Sequence, residues 1–173
     1  MRISSFTIKY ILLLIAQILL GNFFNFSQFI MLSFLPVMVL MLPIRRSSAF
    51  CLIITFIMAV AVDFFADGQL GLTAAALLPV VALRRPVIMF VFGNELFSRE
   101  ENISPHRQGW EKILLATAIC SAIFLAVYVI IDSAGTRAAW IDLVKFLLST
   151  ILSTLLSLPV SDLIGSESEA KWK

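Results

Sequence analysis

The sequence predicts an all-α integral membrane protein: a six-transmembrane-helix bundle with both termini cytoplasmic. Three observations carry this. Of 173 residues, 60% are hydrophobic and only 14% charged, with a mean hydropathy of +0.99, more apolar surface than a soluble chain of this size can bury. The apolar residues gather in continuous runs that approach the roughly 20 helical residues needed to cross about 30 Å of hydrocarbon. They do not alternate as barrel strands do. Finally, with the N-terminus inside, 11 of the 13 Lys and Arg residues fall on one side: Arg2, Lys9, Arg45, Arg46, Arg84, Arg85, Arg99, Arg107, Lys112, Lys171 and Lys173 inside, Arg137 and Lys145 outside. This is the distribution the positive-inside rule requires, and a five-span arrangement would break its alternation.

Helix one is expected over about 6–20. Its basic start and apolar run have a signal-peptide look, but Gly-Asn-Phe-Phe follows instead of a small-residue cleavage site, so the segment reads as a retained span. Helix two, about 29–42, is short. It is expected to recruit flanking residues, to sit where the bilayer thins, or to be covered by neighbours. Helix three runs over about 49–65, and helix four from Leu70 to Leu83 or somewhat beyond. The apolar residues from Pro86 to Phe97 then form either a short interfacial helix or a continuation bent at Pro86. A polar cytoplasmic loop, 98–111, reads SREENISPHRQGWE and suits either a docking segment or a plain connection. Helix five is expected over about 113–131, helix six over about 139–164, and a short polar cytoplasmic tail over 165–173. All six belong to one membrane domain, 1–164.

No catalytic constellation, cofactor loop or metal-ligand spacing emerges, so no enzyme and no cofactor are expected. His106 is the lone histidine and has no clustered Cys or acid. Cys51 and Cys120 lie within predicted spans, without a CxxC neighbour, and read as buried thiols. Asp63 and Asp67 stand four apart, but at a helix end, where acids face water or cap the next helix.

Polar residues inside the spans are more informative. On helix six, Lys145, Ser149, Ser153, Ser157 and Ser161 recur every four residues, one slowly drifting stripe suited to close helix packing. Helix five offers a facing stripe at Ala118, Ala122 and Ala126. Lys145, several residues inside its span, must snorkel, face a cavity or find an acid. Asp63, on one face with Thr55 and Ala59, is the expected partner, with Asp132 and Asp142 as rivals. Gln17 is expected to make an interhelical hydrogen bond.

The hairpin VDFFADGQLGLTAAALLPVVALRRP (62–86) resembles the central signature of the MreD family of rod-shape-determining proteins, in its Bacteroidetes-type variant. An aspartate ends a span, then come a turn, a Gly after an apolar residue and small residues, and the hairpin closes on Arg85-Pro86. The loop with Pro105 and Gly109-Trp110, the pair Gln17 and Asn22, and the Ser/Thr-rich last span fit the same pattern; the second arginine, Arg84, departs from it, as does the very short polar tail. The resemblance covers nearly the whole chain. It implies a bundle similar to the substrate-binding subunits of energy-coupling-factor transporters. It also implies a non-enzymatic inner-membrane subunit of the cell-elongation machinery, partner of MreC, a single-span protein. Through MreC such a subunit is linked to the peptidoglycan synthases and, directly or indirectly, to MreB. Candidate helix-packing or partner-binding residues are Asp63, Gly71, Ala74, Ala75, Arg85, Pro86, Lys145, Ser149, Ser153 and Ser157. The alternative is a vitamin-type small-molecule binding subunit of a transporter, prompted by the implied fold and by Lys145 and Gln17.

Overall fold

The computed structural model describes residues 5–24, 30–44, 46–67, 69–93, 96, 103, 108–134 and 137–170, with the side chains of 5, 6, 24, 67 and 166–170 excepted. Among these residues all regular structure is helical. The helices are α1 (Ser5–Phe24), α2 (Leu35–Leu40), α3 (Ser48–Val62), α4 (Leu72–Phe92), α5 (Trp110–Ser133) and α6 (Ala139–Ala170). Four helical segments, Ser48–Ala66, Leu72–Phe92, Trp110–Ser133 and Ala139–Gly165, are long and apolar enough to cross a membrane. Such segments mark a membrane-embedded protein. Within α1, Thr7–Phe23 is also apolar and slightly shorter.

The second predicted helix differs most from expectation. Instead of one helix over 29–42, residues 30–34 are non-helical and only Leu35–Leu40 form a helix. Pro36 accounts for part of this, since it lacks an N–H and is tolerated only in a helix's first turn. All six α2 residues are buried. α2 packs against α4, α5 and α6, so its neighbours cover it.

Helix four follows the longer of its two expected courses, running unbroken through Pro79 and Pro86 to Phe92. It lies between α3 and α5, and α6 packs on the far side of α5. α3 opens on Ser47, whose hydroxyl accepts from the Phe50 N–H at 3.3 Å, a serine N-cap. It closes in a π-helical turn, Asp63–Asp67. α1 packs on that turn, and the approach is close: a Cβ on Gly21 would stand 2.9 Å from the Ala66 Cβ. Leucine, isoleucine and phenylalanine cover the outside of the bundle, among them Ile8, Leu12, Ile57, Phe90 and Ile151, each at least half exposed. Such a surface is stable against lipid chains.

Candidate functional site

Several of the buried polar side chains form three clasps, and each one secures a stretch of backbone that its own helix leaves unsatisfied, whereas the buried hydroxyls of Thr55, Thr117 and Ser121 have no hydrogen-bond partner. In hydrocarbon every such group needs an internal partner, because no water is available to supply one.

The first clasp is Asp63, fully buried at the end of α3. Its carboxylate accepts from the N–H groups of Gly71 at 2.8 Å, Thr73 at 2.8 Å and Ala74 at 3.3 Å. These are N-terminal donors of α4, which no preceding turn can satisfy, and a carboxylate there also complements the helix dipole. Gly71 itself has φ +96°, a left-handed conformation that costs a residue with a Cβ. Asp63 is therefore an N-cap borrowed from the previous helix, and it does not pair with Lys145. Thr55 and Ala59 share its buried face as expected.

The second clasp holds the non-helical segment 30–34. The Gln17 side chain of α1 makes a two-point contact: its Nε2 donates to the Leu32 carbonyl at 3.3 Å and its Oε1 accepts from the Phe34 N–H at 3.0 Å. Two serines of α6 take the neighbouring backbone groups. Ser149 Oγ accepts from the Met31 N–H at 2.8 Å. Ser153 Oγ accepts from the Ser33 N–H at 3.1 Å and donates to the Met31 carbonyl at 3.4 Å. The serine stripe is buried along its length, so its placement agrees with a packing face. What its upper half packs against is backbone, and the facing stripe expected on α5 is only half-buried. Ser157 and Ser161 instead donate to carbonyls of their own helix, those of Ser153 at 2.6 Å and Leu158 at 2.7 Å.

The third clasp is Arg84, 6% exposed although expected at the inner rim. Its Nε donates to the Leu40 carbonyl at 3.2 Å, its Nη2 to the Leu42 carbonyl, and its Nη1 lies 3.7 Å from Cys51 Sγ. The guanidinium thus closes the C-terminal end of α2, the end a cation stabilises. Tyr10 adds a bond from its hydroxyl to the Met38 carbonyl at 2.9 Å.

Toward the other end of the bundle, Lys145 Nζ meets Asp132 Oδ2 at 2.9 Å, and Arg137 reaches the same oxygen at 2.6 Å. Asp132, one of the rival acids, is therefore the partner, and the Asp63–Lys145 pairing is corrected. The reason is positional: Asp132 ends α5 and faces α6 across their connection, while Asp63 is already consumed by α4.

The remaining candidates divide by face. Ala74 is buried inside the bundle, Ala75 is half-buried, and Gly71, Arg85 and Pro86 are exposed. Cys51 and Cys120 are free, buried thiols. Arg45, Pro105, His106 and most of 98–107 lie outside the described residues, as does the side chain of Asp67. Among the described residues no group of three or more metal-ligating side chains converges. Sequence reasoning missed the backbone contacts of Arg84, Tyr10 and Asn22. Asn22 donates to the Phe65 carbonyl at 3.0 Å. The signal was present for Arg84, since a second arginine next to Arg85 adds little to orientation and so invites another role. The chain matches no protein-family model, no curated protein and no solved structure.

Proposed function

We propose that this chain is a non-enzymatic scaffold subunit of an MreD-like kind, a six-span protein of a bacterial inner membrane with both termini cytoplasmic. In this reading it binds an MreC-type single-span protein and helps govern rod shape and lateral peptidoglycan synthesis. The observation that carries the reading is the use of the polar residues. Asp63, Gln17, Arg84, Ser149, Ser153 and Lys145 are each engaged within the bundle, which builds a rigid body with an apolar outside. The order of residues in the 62–86 hairpin supplies the family. Gln17 and Lys145, which prompted the transporter alternative, hold backbone and Asp132 respectively, so neither favours a ligand pocket.

The sixth span in this topology is the 30–40 segment. Five non-helical residues, at no more than about 3.3 Å each, and six helical ones at about 1.5 Å give a contour of at most roughly 25 Å, a little under the thickness of the hydrocarbon. Non-helical backbone is tolerated at that depth only when it is buried in protein, and the Gln17–Ser149–Ser153 clasp meets that condition.

Co-purification in mild detergent tests the function. A stoichiometric MreC-type single-span partner is the expected result; a tightly retained small molecule with no protein partner would replace the scaffold reading with the transporter one.

A further inference from the structure

Several hydroxyls inside the spans take the acceptor nearest to hand, a carbonyl one turn back on their own helix. Thr150, Thr154 and Ser157 donate to the carbonyls of Phe146, Thr150 and Ser153 at 2.7, 2.7 and 2.6 Å. Ser161 and Ser133 donate to those of Leu158 and Ile130 at 2.7 and 3.2 Å. Thr117 and Ser121 of α5 depart from this habit. Both are at most 1% exposed, and neither hydroxyl has a hydrogen-bond partner. Each has the same back-bonding option within its own helix and does not take it. At 100° per residue, Thr117, Ser121, Tyr128 and Asp132 fall within about 60° of one another. Asp132 meets the Lys145 ammonium of α6 at 2.9 Å, and the Tyr128 ring lies 5.7 Å from that ammonium, so this face looks toward α6. Ser121 stands about 17 Å inward of Asp132, and Ser157 about 18 Å inward of Lys145. The two helices pack along one another, which brings Ser157 level with Ser121. Ser157 is itself 1% exposed. Its proton goes to the Ser153 carbonyl, and its oxygen can still accept.

From this we propose that Thr117, Ser121 and Ser157 form a binding site for one buried water between the inner halves of α5 and α6. Residues four apart on a helix carry Cβ atoms about 5–6 Å apart, twice the length of an O–H···O bond of about 2.8 Å. One water oxygen therefore accepts from both α5 hydroxyls, and the same water donates to the Ser157 oxygen. Three bonds are what a buried water typically makes. The three hydroxyls carry no negative charge, so the site suits a neutral guest and not a metal cation. Two buried hydroxyls left unpaired cost more than immobilising one water. The water is a second joint between α5 and α6, inward of the Asp132–Lys145 pair. It holds whether or not the chain is a scaffold, because it involves no partner protein.

The test uses the full chain purified in mild detergent. Thr117→Val keeps the shape of the side chain and removes the hydroxyl. With a water bound there, the unfolding temperature falls by about 2–4 °C. An unchanged or raised temperature would overturn the site, since deleting an unpaired hydroxyl relieves a desolvation cost. X-ray radiolytic labelling in ¹⁸O water gives a readout that does not depend on stability, because radicals form where water is bound. Phe124, fully buried one turn from Ser121, should be labelled severalfold faster than Phe34, which is 4% exposed. In the Thr117→Val, Ser121→Ala double variant its rate should drop to that of Phe34. Equal rates for the two phenylalanines in the wild-type chain would also sink the proposal. The unfolding temperature should be the same in the chlorides of sodium, potassium and N-methylglucamine. A rise specific to one metal ion, lost in Thr117→Val, would give the site to a cation and overturn the water.

Discussion

Asp63 shows how much one side chain carries in an apolar bundle. Replacing it with Ala strands the two buried N–H donors of Thr73 and Ala74 and frees that of Gly71 at the start of α4, and buried unsatisfied groups cost about 1–3 kcal/mol each. Asp63→Ala is therefore expected to lower the unfolding temperature in detergent sharply. Asp63→Asn, which keeps one acceptor, should lose less. Gly71→Ala meets open space rather than a clash, so its cost is the left-handed backbone alone, about 1 kcal/mol. At the other end, exchanging the charges of Asp132 and Lys145 should recover stability that each single reversal loses, because their contact is direct. The corresponding exchange of Asp63 and Lys145 should recover none. Thermal unfolding of the single and double variants distinguishes the two pairings.

At the scale of elements, the segment 30–34 and α2 depend on their neighbours more than any helix does. A six-residue helix is too short to be stable alone, and what precedes it has no internal hydrogen-bond ladder. Its order comes from α1, α4 and α6 through Gln17, Arg84, Ser149 and Ser153. Ser149→Ala combined with Ser153→Ala should strand the Met31 and Ser33 N–H groups and destabilise by about 2–4 kcal/mol. Hydrogen exchange should localise the loss to residues 30–40 before the rest of the bundle opens. Other elements were legible from the chain itself. α3, α5 and α6 follow from long apolar runs with polar punctuation. α2 was not, because its apolar run has the composition of a span and lacks only the length. Whether such a run bends, shifts or is covered is decided by the side chains that surround it.

For the molecule as a whole, burial of polar side chains against backbone makes a bundle that is rigid inside and apolar outside. The topology proposed for it predicts labelling from the inner side at positions 46–47, and from the outer side at positions 69–70 and 137–138. Cysteine accessibility in intact cells, on a background with Cys51 and Cys120 replaced by Ser, checks this. Outer-side labelling at 46–47 would remove the crossing by 30–40 and leave an odd number of spans.

Membrane residence and the long helices were determined by the sequence alone, because apolar content, run length and charge placement act locally and need no knowledge of neighbours. The buried stripe on α6, the Asp63 face of α3 and the intramembrane need of Gln17 were visible for the same reason: helical period places residues on faces. Which groups those faces meet was decided only by the tertiary structure. Lys145 found Asp132 rather than Asp63, the serines found the Met31–Ser33 backbone rather than the α5 alanines, and Arg84 turned inward to close α2. Sequence spacing states that a buried polar group must have a partner, but the identity of that partner depends on which helices come to lie side by side.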